Sequence, residues 1–356
     1  MKKSILIIST GLSNGGLEKV SSLVANGLFR NNYEVYFIAT YSNEKKYKLL
    51  EGVKYIFLDA NYKNFVKRHI TRSWKIIRLI KHIDPDVIIS FINSELIAAQ
   101  LLLRKKIIYS ERTDPASLSV KYKALNKFLF SKSYRVVFQT AGAQNFYSKR
   151  IQKKSVIIPN PISEDLPIWE ENRHNKSIVT ACRINVNKNI EMLIRAFYEF
   201  SITHTEYSLE IYGKLEDKNY YNKLVQMITK FKLIDKVHFH GFVSNPAELE
   251  VKSEMFVLTS NYEGLSNSML EALCMGIPTI CTDCPCGGAA AYIKDGHNGF
   301  LVGVNDSNQL AKKMAIVSDN HDKRTDLSHE SQKLRKTLSE DRIINLWKKL
   351  IEFGVE

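Results

Sequence analysis

Short apolar runs alternate with longer amphipathic segments along this chain of 356 residues. The first series has an apolar run at residues 5–8, a polar loop at 10–16, an amphipathic segment at 17–30 and a second apolar run at 35–39. A strand followed by a helix and another strand is the unit of a parallel sheet covered by helices. A second series of this kind starts at Ile178. The pattern predicts an α/β protein with two Rossmann-like, doubly wound domains.

The two series meet in a polar and acidic stretch at residues 163–176, directly after a proline-containing segment. Such a stretch is typical of an interdomain linker. The last amphipathic segment contains Trp347, and we expect it to cross back to the first domain. The predicted divisions are a first domain at residues 1–165, a second at 170–335, and a C-terminal helix within 336–356.

Residues 261–271 read NYEGLSNSMLE and carry two carboxylates, Glu263 and Glu271, eight positions apart. They follow an apolar run at residues 255–258 that is typical of a buried strand. The segment therefore predicts a strand that delivers a loop to its carboxyl end, with both carboxylates near that edge of the sheet. The alternative is that the two are ordinary acidic residues that complement a helix dipole.

The same segment contains the signals for a tight turn and a helix start. Gly264 supplies the turn, and Ser266 or Asn267 can cap the helix that follows. Backbone amides from Leu265 to Ser268 would face an anion at this helix start, where the dipole favours negative charge.

Two cations stand at the corresponding position after the first strand of the second series. Arg183 follows that strand, and Lys188 lies five residues further on, before an amphipathic helix. Both side chains can point at one anion, and a diphosphate leaving group without a metal needs that compensation. Solvated surface charges are the alternative interpretation.

The loop after the first strand reads TGLSNGGLEKV and is rich in glycine. It does not fit the dinucleotide pattern G-x-G-x-x-G, because Gly11 and Gly15 are four positions apart. Gly15 and Gly16 at a helix start would let the backbone approach a phosphate or a sugar. A flexible turn explains them equally well.

These motifs together resemble the retaining family-4 glycosyltransferases, whose signature has the form EG(L/F)xxxxLEAxxxGxPV. The resemblance runs from Lys3 to about Leu350 and is more specific in the carboxyl half. It implies a GT-B architecture, in which two domains face each other across a cleft and the carboxyl domain holds a nucleotide sugar. It also implies the donor contacts: Arg183 and Lys188 on the diphosphate, Glu271 on the ribose hydroxyls, Glu263 near the sugar ring, with Gly264, Leu265 and Ser266 in the same loop.

The resemblance implies further that the amino domain binds the acceptor, with Gly15 and Gly16 shaping a shared floor. In several relatives a histidine stands at about the position of Arg112, which stays protonated and cannot act as a base. That departure leaves open which group takes the acceptor proton, and Glu111 and Asp114 are the candidates. An ordinary ion cluster in a surface loop is the alternative for these three residues.

The family relationship leads to a functional prediction. It implies a metal-independent enzyme without a cofactor that moves a hexose or N-acetylhexosamine, from a UDP sugar in the first instance, with retention of configuration. The alternatives are a starch or glycogen synthase, which carries a lysine where this chain has Asn14, and a non-catalytic nucleotide-sugar sensor. A nicotinamide-dependent oxidoreductase is disfavoured by the missing glycine pattern.

The net charge of +14 and a pI near 9.3 call for an anionic partner. Residues 63–83 form the most basic segment of the chain, and nonpolar side chains recur in it at helical spacing. This composition is typical of a helix that lies on anionic lipid. Packing of its apolar stripe on the sheet is the alternative, and both can hold at once, because packing uses one face and lipid needs only the other. No aromatic platform or known module supports nucleic-acid binding. The basic residues are Lys63, Lys67, Arg68, Arg72, Lys75, Arg78 and Lys81, and the nonpolar ones are Phe65, Val66, Ile70, Trp74, Ile77 and Ile80.

The absence of an export signal and of a long apolar run predicts the compartment, and the basic segment at residues 63–83 predicts the acceptor. The chain has five cysteines and no export signal, which favours a reducing, cytoplasmic setting. No apolar run approaches the length of a membrane-spanning helix. The basic segment then predicts peripheral attachment to the inner face of the cell membrane and a lipid-linked glycan acceptor, in surface polysaccharide or glycolipid synthesis.

Overall fold

The computed structural model describes residues 2–13, 15–58 and 64–353, without the side chains of Phe65 and Val66. The chain divides into two compact units. The first unit consists of the chain up to Pro161 together with the residues from Glu340 onward, and the second unit is Ile162–Ser339. Ile162 belongs to the second unit, not the first, because its backbone N–H donates to the carbonyl of Leu338 at 2.9 Å. The divisions therefore lie a few residues from those predicted at 165, 170 and 336.

The first unit is built on a parallel sheet of seven strands in the order β3-β2-β1-β4-β5-β6-β7. Its strand β1, inside the sheet, has Ile5 beside Val35 on one side and Val87 on the other. All three are fully buried or nearly so, as a parallel sheet covered on both faces requires. The strands are β1 Ser4–Ser9, β2 Glu34–Ala39, β3 Lys54–Phe57, β4 Val87–Ser90, β5 Ile107–Ser110, β6 Arg135–Phe138 and β7 Ser155–Ile157.

Helices cover this sheet, and the last of them comes from the far end of the chain. They are α1 Gly16–Arg30, α2 Phe65–Ile83, α3 Ile97–Leu102, α4 Val120–Lys132, α5 Ala141–Asn145, α6 Lys149–Gln152 and α14 Glu340–Glu352.

The second unit repeats the design with six parallel strands in the order β10-β9-β8-β11-β12-β13. The strands are β8 Asn175–Ala181, β9 Ser208–Tyr212, β10 Val237–Gly241, β11 Ser253–Leu258, β12 Thr279–Thr282 and β13 Phe300–Val302. The helices are α7 Ile190–Ser201, α8 Lys218–Lys230, α9 Ala247–Glu250, α10 Asn267–Met275, α11 Ser307–Asp319, α12 His321–Gln332 and α13 Leu334–Leu338. The predicted pair of doubly wound, Rossmann-like domains is confirmed.

Each sheet has one point where the chain reverses its direction of winding. In the first unit this point lies between β1 and β4, and in the second it lies between β8 and β11. Ligands of open α/β sheets bind outside the carboxyl ends of the strands at such a switch point, because the loops diverge there and leave a crevice. The topology therefore marks one position in each unit as a candidate site.

Helix α14 joins the first unit through the chain end, as the sequence predicted. Its Trp347 is fully buried and packs near Phe91, with 6.2 Å between the ring centres. Helix α14 also packs on α1, where Gly27 leaves room for Ile344. A Cβ added to Gly27 would lie 2.3 Å from Ile344 Cγ1. Close approach of the two helices thus depends on a residue without a side chain.

Helix α2 corrects one expectation from the sequence. The nonpolar side chains of residues 63–83 do not form a single stripe: Ile77 and Ile80 are buried, whereas Ile70 and Trp74 are 54% and 59% exposed. At 3.6 residues per turn, positions 70 and 74 lie about a third of a turn around the helix from 76 and 80, and Ile77 lies at the boundary between the exposed and the buried side. Lys63 lies outside the described residues, as do the side chains of Phe65 and Val66. No helix in the described part of the chain combines the length and apolar character needed to cross a membrane.

We expect Gly27→Val to lower the free energy of unfolding by about 1–3 kcal/mol, because the added methyl groups force α14 away from α1. Urea denaturation measures the change. The matched control is Leu346→Val, on a face of α14 where the side chain is 36% exposed, and it should change stability by less than about 0.5 kcal/mol. Equal stability of the Gly27 variant and the native chain would contradict this packing.

Candidate active site

The loop after β8 carries Arg183 and Lys188 and is shaped by two asparagine caps. The Asn185 side chain accepts from the Lys188 backbone N–H, and Asn189 caps α7 by accepting from Met192. Asn189 has a φ of 44°, a left-handed conformation that asparagine tolerates better than most residues. The two caps hold Lys188 in a single turn of 3₁₀ helix directly before α7, so that its side chain has a defined direction.

The loop after β11 carries Glu263 and leads into α10. Ser266 caps this helix by accepting from the Met269 backbone N–H, and Gly276 ends it in the left-handed region with a φ of 85°. Of the two predicted caps, Ser266 is the one that forms. Glu263 lies in the loop and Glu271 lies within the helix, where it is buried at 7% exposure.

Asparagine side chains tie these two loops to each other. The Asn187 amide donates to the Tyr262 carbonyl at 3.0 Å and accepts from its N–H at 3.2 Å. Asn189 donates to Asn261 Oδ1 at 2.9 Å, and Asn261 N–H donates to the Asn187 carbonyl at 2.8 Å. The ends of β8 and β11 are thereby fixed against each other at the switch point.

Within this frame the Lys188 ammonium donates to the Glu263 carboxylate. The side chains are 9% and 24% exposed, so the ion pair is largely sheltered from water. Glu263 also accepts from Ser260 Oγ at 3.0 Å. Burial opposes the charge on Lys188, but the neighbouring Glu263 outweighs it and raises the pKa of the lysine. Lys188 is therefore a permanent cation at neutral pH.

Arg183 is the more accessible of the two cations. Its side chain is 62% exposed, and its guanidinium lies 3.2 Å from Glu216 Oε1. Asn185 donates to the other oxygen of the same carboxylate at 2.8 Å. The charge of Arg183 opposes the protonation of Lys188. The structure thus pairs Lys188 with Glu263 and places Arg183 five positions before Lys188 in the same loop after β8.

The remaining donor-side residues line the start of α10. Gly264 lies against Gly288. A Cβ added to Gly288 would be 2.2 Å from the Gly264 carbonyl oxygen. Leu265 is buried in the unit's core, and Ser266 shares with Glu263 the wall of a cavity of about 10 Å³, room for one water molecule. Gly264, Leu265 and Ser266 therefore position the loop that carries Glu263.

Gly15 and Gly16 lie in the other unit, at the start of α1. Gly15 has ordinary extended dihedrals, and a Cβ added there would lie 1.8 Å from Glu18 Oε2. The Thr10 hydroxyl donates to the same Glu18 carboxylate at 2.9 Å. A carboxylate of the protein itself thus lies beside this helix N-terminus, which makes a phosphate contact there less favourable than the sequence suggested.

The first unit holds a second group of candidate residues around a cavity of about 260 Å³. Glu111 and Arg112 line it, whereas Asp114 is buried and caps the turn at Pro115–Ser117. Burial raises the pKa of Glu111, against hydrogen bonds from Thr113 that lower it. Burial lowers the pKa of Arg112 to about 9, partly offset by Glu111, and leaves the guanidinium protonated at neutral pH.

Sequence reasoning missed three side chains on the wall of this cavity: Tyr41, Glu95 and Asn126. Asn126 donates to Glu111 Oε2 at 2.6 Å, and the Tyr41 hydroxyl donates to Glu95. Glu95 follows β4 by a few residues, and β4 borders the switch point. That position is the signal that could have found it.

Cys274, Cys281, Cys284 and Cys286 are buried, and the Cys284 thiol donates to the Ser260 carbonyl at 3.1 Å. Within residues 2–13, 15–58 and 64–353, no three His, Cys, Asp or Glu side chains gather closely enough to hold a metal ion.

The two doubly wound units define the fold class of the protein, and comparison with known proteins supplies the family. A model of Glycosyl transferases group 1 matches residues 162–334, and one of Glycosyltransferase Family 4 matches residues 14–166. The chain belongs to the group 1 and family 4 type of glycosyltransferase, as its motifs predicted. It is an enzyme of this class, which decides against the oxidoreductase and sensor alternatives.

Two curated relatives align over most of their length. An enzyme of Campylobacter jejuni is 28% identical over 365 residues, which cover 99% of this chain and 98% of that protein. Its name is GalNAc-alpha-(1->4)-GalNAc-alpha-(1->3)-diNAcBac-PP-undecaprenol alpha-1,4-N-acetyl-D-galactosaminyltransferase. The amylovoran biosynthesis glycosyltransferase AmsD of Erwinia amylovora is 25% identical, over 86% of this chain and 87% of its own.

Solved structures confirm the GT-B fold. HepE of Anabaena, in complex with UDP and glucose, superposes with a TM-score of 0.84 at 16% identity, covering 98% of this chain and 99% of that one. Sucrose-phosphate synthase of Thermosynechococcus elongatus has the same TM-score and identity, covering 98% of both chains.

We expect Lys188→Met to lower the free energy of unfolding by about 1–3 kcal/mol, because Glu263 would be left partly buried without its cation. The matched control is Lys223→Met, whose ion pair with Glu191 has a lysine side chain that is 61% exposed. Exposed pairs contribute less than about 1 kcal/mol. Urea denaturation of both variants measures the difference, and equal losses would contradict the sheltered character of the Lys188 pair.

Proposed function

We propose that this enzyme is a metal-independent, retaining glycosyltransferase. It transfers a hexose or N-acetylhexosamine from a UDP sugar to a lipid-linked glycan during the synthesis of a surface polysaccharide or glycolipid. The observation that carries the proposal is the grouping of Arg183, Lys188 and Glu263 at the switch point of the second unit.

The reaction places a specific electrostatic demand on this site. The bond between the anomeric carbon and the diphosphate oxygen breaks, the electron pair stays on the diphosphate, and the acceptor oxygen attacks the same face of the sugar. Negative charge therefore grows on the leaving diphosphate. Fixed cations stabilise such charge without reorganisation, which is the largest single contribution in many enzymes. Arg183 and Lys188 supply two of them.

Glu263 has a second function in this proposal. It pairs with Lys188 and would share that ammonium with the incoming diphosphate, so its carboxylate remains beside the anomeric carbon. A carboxylate at that position stabilises the positive charge of an oxocarbenium-like state by Coulomb attraction in a site sheltered from water. Glu271, buried on α10, is the proposed partner of the ribose hydroxyls.

The acceptor proton needs a recipient in the first unit. Of the two carboxylates predicted for this role, Glu111 lines the cavity, whereas Asp114 accepts from the Ala116 N–H at 2.8 Å and holds a turn. Burial raises the pKa of Glu111, which increases its affinity for a proton. Glu111 is therefore the better candidate for the general base.

The relatives support the choice of substrates. The Campylobacter jejuni enzyme is named for an acceptor linked through a diphosphate to undecaprenol, and AmsD for amylovoran biosynthesis. HepE was solved with UDP and glucose. The first name supports a lipid-linked glycan as acceptor, and the HepE complex supports a UDP sugar as donor.

The exposed face of α2 supports action at a membrane surface. Ile70 and Trp74 are more than half exposed and lie on one helical face with Lys75, Arg78 and Lys81. Basic side chains attract anionic headgroups, and nonpolar side chains among them enter the headgroup region. The buried side of α2 packs on the rest of the first unit through Ile76 and Ile80. The helix therefore serves both packing and lipid binding.

The donor assignment is tested by nucleotide release from UDP, GDP and ADP sugars in EDTA, with a lipid extract as acceptor. We expect release from one UDP sugar that depends on the lipid and falls at least about 100-fold in Arg183→Ala, Lys188→Ala and Glu263→Ala. Lys223→Ala is the matched control. Wild-type turnover in any of the three site variants would refute the role assigned to it, and loss of activity in EDTA would refute metal independence.

Membrane attachment is tested by replacing Lys75, Arg78 and Lys81 with glutamate. We expect this variant to leave vesicles that contain anionic lipid, because three attractive charges become repulsive, while it still releases nucleotide from the donor. A variant with Lys218, Lys230 and Lys312 of the second unit changed to glutamate has the same net charge and serves as the control. Equal sedimentation of both variants with the vesicles would remove the argument for α2.

A further inference from the structure

The cavity of the first unit lies where the topology predicts a ligand. Its wall includes Thr10 after β1, the segment Phe91 to Glu95 after β4, and Glu111 after β5. These are the carboxyl ends of the strands on both sides of the switch point. Its volume of about 260 Å³ is just below the usual range for small-molecule pockets, about 300–1,000 Å³. It suits a single sugar ring better than an oligosaccharide.

The charges on its wall select the kind of ring. Glu95 and Glu111 are 1% and 5% exposed, and Arg112 is the one cation among the described lining residues. Two nitrogens of the Arg112 guanidinium donate to Ser110 Oγ at 2.7 Å and Asn160 Oδ1 at 2.8 Å, the third is buried without a hydrogen-bond partner among the described residues, and the neighbouring Glu111 offsets its charge. Two buried carboxylates accept hydrogen bonds and repel anions, so they favour a ligand that offers hydroxyl or amide N–H donors.

Glu95 is held in place for such a contact. One of its carboxylate oxygens accepts from the Tyr41 hydroxyl and the other from Ser94 Oγ at 2.7 Å. Burial, followed by the neighbouring Glu95, raises the pKa of Tyr41, so its hydroxyl remains a donor. Arg72 lies 3.8 Å from the centre of the Tyr41 ring and fixes it from behind. A carboxylate has about four lone-pair positions, so Glu95 can still accept from a ligand.

Aromatic side chains complete the wall. Phe91 and Tyr122 line the cavity with Tyr41, and Tyr122 lies on α4, where it is 49% exposed. Flat nonpolar surfaces next to a few fixed polar groups are the usual composition of a pocket that orients a ligand of mixed character. A pyranose ring, with its hydroxyl groups and nonpolar faces, matches both parts of the wall.

We propose that this cavity binds the terminal sugar of the acceptor as an uncharged ring, and that Glu95 is its specificity-determining residue. Glu95 accepts hydrogen bonds from the ring's hydroxyl or N-acetyl N–H groups and excludes rings that carry a carboxylate. The proposal rests on the proposed function, because it names the substrate class that the acceptor site takes. It adds a residue that neither the motifs nor the reaction chemistry requires.

The test measures binding without donor or turnover. Methyl glycosides of glucose, galactose, N-acetylglucosamine, N-acetylgalactosamine, glucuronic acid and galacturonic acid are titrated into the full chain, and binding is followed by saturation-transfer NMR. We expect at least one neutral glycoside to bind and neither uronic acid to do so. Glu95→Gln should weaken the neutral glycoside about 10- to 100-fold, since a hydrogen bond to a charged acceptor is lost. Glu44→Gln, an exposed carboxylate of the same unit, is the matched control.

Thermal unfolding and UDP titration show whether the Glu95 variant keeps its fold and its donor site. If Glu95→Gln does not fold, Tyr41→Phe replaces it, because it removes a hydroxyl that orients Glu95, and it should weaken the same glycoside about 3- to 10-fold. Unchanged affinity in the folded variant, uronic acid binding equal to neutral binding, or no binding of any neutral glycoside would overturn the proposal. Such a result leaves the donor assay in EDTA unaffected, so the two failures are distinguishable.

Discussion

The ion pair between Lys188 and Glu263 is the interaction on which the donor side of this molecule depends. A lysine and a glutamate that shelter each other from water are stable only if both are held in place, because each alone carries a large desolvation cost. The asparagine side chains of the two loops provide that constraint. The loops in turn follow β8 and β11, which are neighbours only because the sheet reverses its winding there. Strand order and site electrostatics are thus parts of one arrangement.

The first unit also holds buried charged side chains in fixed positions, but with a different set of charges. Its cavity has two buried carboxylates, and its cation, Arg112, stands over the rings of Phe91 and Trp347. Trp347 comes from α14, so the end of the chain supports a side chain that lines the cavity. Because α14 packs closely on α1 only where residue 27 is glycine, a constraint far from the cavity contributes to its geometry.

The basic residues behind the net charge of +14 have different roles in different parts of the molecule. On the exposed side of α2 they form the basic surface that we propose meets an anionic membrane. At the end of β8 they include Arg183 and Lys188, the cations proposed to stabilise a leaving diphosphate. The cavity of the first unit departs from both patterns, since its buried carboxylates face inward beneath a basic exterior. Total charge therefore indicates that anions are partners, and local placement shows which surfaces can meet them.

The sequence by itself determined the two doubly wound units and the return of the last helix, because these depend on periodicity along the chain. The resemblance of its motifs to a known family assigned Arg183, Lys188 and Glu263 to one site. The sequence could not determine which nonpolar residues of α2 are buried, the capping role of Asp114 or the carboxylate of Glu18 beside Gly15. It also gave no indication of Tyr41 and Glu95. Tyr41 and Glu95 are 54 positions apart and meet only once the strands are ordered. Asp114 and Glu18 act on residues two and three positions away, and the packing around each loop decides which way their side chains turn. The tertiary structure decided them.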